Sequence, residues 1–245
     1  MADSSADSSN VDRNGGWETL YQHGAFPPRY QTQAAPNDSV VEWADTLPAG
    51  ARLLDVGSGV GRHVIYLAKR GFRMSGVDLS PTGIQTTREV CAAHQLEFDG
   101  HVGEMSALPW GDKTFDGVLS TSTISHYRRA DIEKTLAEIR RVLKPGGKLL
   151  VDFLHKETLS YQETRHQATE GKLTELEPNT FVDDSPSPDP LEDAFLPHHF
   201  TDEAEVRDML REYEILKLYA YLPGRAPDGG FGRRGNWIAW ARKPL

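Results

Sequence analysis

Residues 53–63 read LLDVGSGVGRH: an apolar run, an aspartate, three alternating glycines and the opening of a helix within one short stretch. ARLLDV at 51–56 predicts a buried strand, and the residues after the glycines carry Val64, Ile65, Leu67 and Ala68 on one helical face, with Gly71 suited to the stop. The same alternation continues outward. RMSGVD at 73–78 reads as a second strand, followed by Ser80 as N-cap, Pro81 in the first turn, and a helix facing inward with Ile84, Thr87, Val90 and Cys91. EFDGHVG at 97–103 is a short third strand. FDGVLST at 115–121 is a fourth, reached through the turn at Trp110, Gly111 and Asp112. Asp131 can cap a helix carrying Ile132, Leu136, Ile139 and Leu143, which KPGG ends before the fifth strand, KLLVDFL at 148–154. Strands alternating with helices imply right-handed crossovers and a parallel sheet covered on both faces. Beyond a further helix at Thr201 to Arg211, YEILKLYAYL and NWIAWARK add two strands. The predicted fold is α/β, a seven-stranded, mostly parallel, doubly wound sheet with an antiparallel C-terminal strand pair.

Around this domain, taken as 49–245, the composition sets other limits. Residues 1–16 hold little to bury and are expected as a disordered tail. Residues 17–48 place Trp17, Leu20, Tyr21, Val40, Val41 and Trp43 on an apolar face, a helical cap broken at Pro27-Pro28. Residues 155–200 interrupt the rhythm with an acidic, proline-rich run and are expected as a lid or substrate insertion. A net charge of −9 disfavours nucleic acid as a partner. The one cysteine, Cys91, falls on a core face and makes neither a disulfide nor a thiolate metal site. No apolar run approaches the ~20 residues that span a bilayer, and the start lacks a signal peptide. The expectation is a cytoplasmic monomer or homodimer with no membrane partner and no metal.

In an open parallel sheet a ligand binds beyond the carboxyl ends of the strands, where the first turns into its helix. Gly57, Gly59 and Gly61 let backbone approach it closely. Asp78, 21 positions beyond Gly57, can accept from both hydroxyls of a ribose, and Leu79 offers an apolar face to an adenine. A dinucleotide fingerprint requires G-x-G-x-x-G, but its third glycine falls at Arg62 here. Asp55 at the strand tip disfavours a pyrophosphate and suits a ligand carrying an ammonium and a sulfonium.

DVGSGVG at 55–61, VDLS at 77–80, GEMSALPW at 103–110, FDGVLST at 115–121 and VLKPGGKLLV at 142–151 together resemble the class I S-adenosylmethionine-dependent methyltransferases. The resemblance implies S-adenosylmethionine as cofactor. Gly57, Gly59 and Gly61 would line its methionine moiety, with Asp55 holding the loop and the amino group. Asp78 would bind the ribose, Leu79 and Met105 would sandwich the adenine, and Glu104 would sit near its exocyclic amine, where the family more often has aspartate. Thr121 would touch the cofactor, and His126 stands where related enzymes often place a histidine at the mouth of the site. Asp116 reads as a carboxylate shaping a loop.

Methyl transfer from a sulfonium needs alignment and exclusion of water, and a base only if the acceptor arrives protonated. STSTISHY at 120–127 lacks the N/D-P-P-Y/F sequence of adenine and glutamine methylation, and Cys91 lies on the wrong helix for cytosine C5 chemistry. A lone cysteine also argues against arsenic methylation. WETLYQHGAFPPRY at 17–30, PHHF at 197–200 and NWIAWARKP at 236–244 resemble the thiopurine and tellurite-resistance branch. The catalytic candidates are His126, Tyr21, which closes over the methyl or packs its helix, and His199, with His198 the alternative. A metal site from these histidines with Asp183, Asp184 or Asp193 lacks supporting spacing. Arg233, Arg234 and Trp237 read as an anion site or as solvated turn residues. The expected function is methylation of a small molecule, first a thiol, selenol or chalcogen oxyanion, then a small hydroxyl, carboxyl or amine compound. A macromolecular acceptor and a non-catalytic S-adenosylmethionine-binding protein are the alternatives.

Overall fold

Strand β1 (Arg52–Val56) sends Leu54 and Val56 into one hydrophobic core and Leu53 into another, which is why a strand buried on both faces reads as an unbroken apolar run. The structure, a computed structural model, describes residues 13–22, 31–183, 196–224 and 234–245. Strands β2 (Arg73–Asp78), β3 (Phe98–Val102), β4 (Phe115–Ser120) and β5 (Leu143–His155) flank β1 in the parallel order β3-β2-β1-β4-β5. β5 alternates in the same way, with Leu149, Val151 and Phe153 in the first core and Leu150 in the second. Helices α2 (Asp38–Ala44), α3 (Arg62–Lys69) and α4 (Pro81–Ala93) contribute Trp43, Leu67 and Cys91 to the second core. Helix α5 (Arg129–Val142) and the later α7 (Glu203–Met209) cover the opposite face through Ile132, Leu136, Val206 and Met209. α5 starts two residues before the expected cap: Arg128 is the N-cap and Asp131 sits in the first turn.

At the C-terminus β9 (Glu214–Tyr221) and β10 (Asn236–Arg242) form the expected antiparallel pair, with β10 running antiparallel to β5. The fold is α/β, a doubly wound sheet that is mostly parallel with antiparallel C-terminal strands. The strand count differs from seven. The described part of 155–200 folds into α6 (Leu159–Thr169) and the short strands β6 (Thr174–Glu177), β7 (Thr180–Val182) and β8 (His198–Thr201), giving a ten-stranded sheet. Leu154 of β5 faces Asn236 across one edge and Phe200 of β8 across the other. β8 therefore lies on the β4 side of β5, beyond the point where β4 ends. These strands were missed because their pairing is non-local and their lengths are three or four residues, too short for periodicity to show. Residues 184–195, including the acidic proline-rich run, lie outside the described residues.

Ahead of the sheet, α1 (Arg13–Gln22) begins inside the stretch expected as a tail. Residues 1–12 and the expected break at Pro27-Pro28 lie outside the described residues. No helix among the described residues is long and apolar enough to cross a membrane. Trp43 is fully buried and pins α2 to the sheet, its indole against Gly117 of β4. Trp43→Ala should cost about 3–5 kcal/mol in denaturant unfolding; a loss below 1 kcal/mol would show that α2 is not part of the core.

Candidate functional site

The parallel strands end at one edge, and the residues just past them form the site. After β1 the chain turns through Gly57, Gly59 and Gly61 at φ 77°, 53° and 80°, left-handed values that favour glycine. Gly57 and Ser58 donate their N–H groups to the Val77 carbonyl at 2.8 and 3.1 Å. Gly59 N–H donates to one carboxylate oxygen of Asp78 at 2.8 Å, and Ser80 N–H to the other at 2.9 Å. Asp78 thus ties the glycine loop to the head of α4. A carboxylate has about four lone-pair sites, so the same group retains acceptor capacity for a ligand. A methyl on Gly57 would collide with the Thr123 side chain, and one on Gly59 with the Tyr21 hydroxyl. The backbone stays bare because the segment after β4 and helix α1 come down onto it.

The edge is acidic and poorly solvated. Burial pushes Asp55 up to about 7, opposed by Arg62 and reinforced by the neighbouring Asp78. Burial lifts Asp78 to about 6, against the N–H groups that favour its anion. Burial also lowers His63 to about 3, aided by Arg62, so it stands neutral beside Thr121 Oγ1 at 3.3 Å. Carboxylates sharing a desolvated edge favour a cationic guest. Past β3, Glu104 accepts from the Tyr127 hydroxyl at 2.9 Å, and Met105 is buried, as is Leu79 past β2. Ser58 Oγ and Ser120 Oγ, at the ends of β1 and β4, are buried with no partner among the described residues. Such polar atoms call for a ligand or water.

Helix α1 is seated over this edge by Glu18. Its carboxylate accepts from Ser80 Oγ at 2.5 Å and from Thr82 at both N–H (3.1 Å) and Oγ1 (2.5 Å). The Ser80 hydroxyl in turn accepts from Gly83 N–H at 2.9 Å, capping α4 as SPTG predicts. α1 brings Trp17 into a T-shaped contact with His126 at 5.1 Å between ring centroids, and His198 makes a second T-shaped contact with that imidazole at 4.6 Å. His126 ends a 3₁₀ turn, Ile124–His126, just past β4.

His199, expected as a catalytic candidate, is bonded at both ring nitrogens. Its Nδ1 lies 2.6 Å from Thr180 Oγ1 and its Nε2 3.1 Å from Glu205, so both nitrogens are engaged between β7 and α7. Neighbours on a strand point to opposite faces, and it is His198 that joins His126. Arg234 is exposed and Trp237 stacks on His155 at 4.5 Å, while Arg233 lies outside the described residues. Asp184 and Asp193 also lie outside, and among the described residues no three His, Cys, Asp or Glu side chains group as metal ligands. Asp116 accepts from Arg52 N–H and Lys144 Nζ, far from the edge in the chain's register. A groove of about 520 Å³ lies along α6, lined by Lys156, Tyr161 and Arg165 among others, and shares no residue with the site.

Sequence reasoning missed Glu18, Trp17, Thr123 and Asp152. Asp152 carried a signal, a carboxylate inside the apolar VDFLH run. It accepts from the N–H of Ser122, a residue held at φ 53°, at 2.8 Å, and burial lifts it to about 6.

Residues 54–151 match the family model described as a methyltransferase domain. The S-adenosyl-L-methionine-dependent Diels-Alderase iccD of Talaromyces variabilis is 38% identical over 42% of this chain and 36% of its own length. Demethylmenaquinone methyltransferase of Tropheryma whipplei strain Twist is 36% identical over 44% of each chain. The chain thus spans less than half the length of these curated relatives. The crystal structure of Burkholderia thailandensis 1,6-didemethyltoxoflavin-N1-methyltransferase, with bound 1,6-didemethyltoxoflavin and S-adenosylhomocysteine, superposes with a TM-score of 0.67. It is 20% identical, with 95% of this chain and 87% of that one covered.

Asp152→Ala should free the strained turn at Ser122. Faster amide exchange at residues 122–124 and a loss of about 1–3 kcal/mol are expected; unchanged exchange there would remove Asp152 as its anchor.

Proposed function

We propose, on the premise that residues 54–151 are a methyltransferase domain, that the protein transfers a methyl group from S-adenosylmethionine to a small-molecule acceptor. The observation that carries this reading is the pairing of bare left-handed backbone with desolvated carboxylates at one sheet edge. Bound there, the cofactor supplies a methyl group already activated for displacement. The chain's own residues hold and align it. Backbone at Gly57, Gly59 and Gly61 approaches the methionine moiety, and Asp55 supports the loop opposite the ammonium. Asp78 accepts from the ribose while keeping Gly59 in place. Leu79 and Met105 enclose the adenine, with Glu104, steadied by Tyr127, beside its amine. Thr121, fixed by neutral His63, closes the floor. Tyr21 and Trp17 on α1 exclude water from above.

The small-molecule reading is supported by the names of the demethylmenaquinone and didemethyltoxoflavin enzymes. The narrower placing with the thiopurine and tellurite-resistance branch rests on the motifs at 17–30, 197–200 and 236–244. A second reading, in which bound S-adenosylmethionine serves without losing its methyl, is favoured by the Diels-Alderase relative. Incubation with methyl-labelled S-adenosylmethionine and a panel of thiols, selenite, tellurite, phenols and amines separates the two: label on an acceptor supports transfer, and tight binding with no label transferred supports the second.

The buried acids also set a pH dependence. Their folded pKa values lie above the ordinary range, so their ionisation costs stability as pH rises from about 4 through 7. A cationic guest prefers them ionised, so its affinity should fall as pH drops below 7, by up to about tenfold per unit. Calorimetry should show this, with Asp55→Asn flattening the slope; a slope unchanged in that variant would detach Asp55 from the ligand. Asp78→Ala should abolish binding, since it removes the ribose acceptor and the tie to Gly59 together.

A further inference from the structure

We propose that His63 is a positioning residue: it turns the Thr121 hydroxyl so that the hydroxyl hydrogen is left to donate to the carboxylate at the methionine end of S-adenosylmethionine. This rests on the methyl-transfer reading above and deepens it, naming what orients one donor of the site and which group of the ligand that donor takes.

The tautomer of His63 is fixed from both sides. His63 is buried in the first turn of α3, and the backbone N–H of Asn37 lies 3.4 Å from its Nε2. A backbone N–H only donates, so Nε2 carries the lone pair. A neutral imidazole has one N–H, which then sits on Nδ1 and faces Thr121 Oγ1 at 3.3 Å. Burial keeps the ring neutral, and the charge of Arg62 adds to that effect. A protonated ring would have no lone pair for Asn37. Thr121 Oγ1 therefore accepts from His63, and its own hydrogen remains to be given. Among the described residues that hydroxyl has no hydrogen-bond partner besides His63.

The pair lies across the glycine loop. Thr121 follows β4 directly, at the edge where β1 runs into the loop. Thr123 Oγ1 lies 3.0 Å from the Thr121 carbonyl and 3.5 Å from that of Gly57, which sets the backbone of Thr121 beside the first loop glycine. His63 follows the last one, Gly61, which caps α3. β4 lies on the side of β1 away from β2 and β3, whose ends carry Asp78 and Glu104 for the nucleoside. The part of the ligand nearest Thr121 is then its amino-acid end.

Chemistry selects the group. That end carries an ammonium, which only donates, a sulfonium, which has no N–H or O–H, and a carboxylate, which only accepts. A hydroxyl with a hydrogen to give has one partner among the three. The carboxylate in turn enters a desolvated place already holding Asp55, Asp78 and Asp152, where like charges repel it. Arg62, whose charge is felt at Asp55, His63 and Asp152, offsets part of that repulsion. Thr121 adds a directed bond, and a hydrogen bond to an ionised acceptor is roughly twice as strong as one between neutral groups.

The test is calorimetry on the full chain with two probes, S-adenosylhomocysteine and its decarboxylated analogue, which keeps the amine and lacks the carboxylate. Thr121→Val should weaken S-adenosylhomocysteine by about tenfold or more and the analogue by less than about threefold. His63→Leu, which leaves the hydroxyl undirected, should show the same selective loss. His63→Asn places an amide N–H where Nδ1 stands and should recover most of it. Equal losses on both probes, no loss on S-adenosylhomocysteine in Thr121→Val, or a His63→Asn no better than His63→Leu would overturn the proposal. Where the His63 variants fail to fold, nitrogen NMR of the wild-type imidazole decides: hydrogen on Nδ1 supports the proposal, and hydrogen on Nε2 overturns it. Failure of the wild type to bind either S-adenosylmethionine or S-adenosylhomocysteine would instead overturn the reading on which it rests.

Discussion

The arrangement depends on one carboxylate. Asp78 accepts from Gly59 N–H with one oxygen and from Ser80 N–H with the other, joining a loop of glycines to the first turn of the next helix. The loop has three residues at positive φ; its start is held by the Val77 carbonyl, and Asp78 holds the N–H of its middle glycine. With them the backbone after β1 is fixed against the end of β2, and two acids are held together in a desolvated place. Burial costs the charged form of each. The fold accepts that cost at the edge where β1 through β4 end, and a cation bound there would repay it.

A second layer is laid on the first. Ser80 caps α4, and the same hydroxyl donates to Glu18 of α1. The helix that covers the edge is thus attached to the helix that the edge itself positions. A carboxylate at a helix N-terminus is favoured by the exposed N–H groups and the helix dipole, and for Glu18 desolvation is outweighed by the bonds from Ser80, Thr82 and Gln22, which lower it from the ordinary carboxylate value. Tyr21 and Trp17 are placed by this seat, one over Gly59 and the other against His126.

What was legible in the sequence follows the range of the interactions. The strands β1 to β5, the cap at Ser80 and the glycine loop are local patterns, and each shows in a window of a dozen residues. Asp78 was recognised from its place after a strand, though its bond to Gly59 spans a distance no local pattern reports. Glu18 looked like any exposed glutamate, because its partners lie 62 and 64 positions away. The adjacent histidines show the limit most clearly. PHHF sets two imidazoles side by side, but which of them meets His126 depends on how a four-residue strand pairs with β5 and with β7, and that pairing has no signature in four letters.

The pairing also explains how one insertion serves two ends. On one face of β8, His199 enters a network in which Glu205 meets Arg129 at 3.1 Å and Lys156 at 3.4 Å, while Arg129 also bonds Glu133 and Asp208, and its N–H reaches Glu177 at 2.7 Å. Those contacts tie β6, β7 and β8 to α5 and α7, elements that belong to the sheet's own scaffold. On the other face His198 is thereby presented to His126. Partly buried pairs of this kind gain more from being networked than isolated surface pairs do, so the segment is anchored by charge on the face that carries His199. The ring face of β8 and the carboxylate that holds the glycine loop sit on different strands, so substitutions at His198 leave the Asp78 bonds to Gly59 and Ser80 in place.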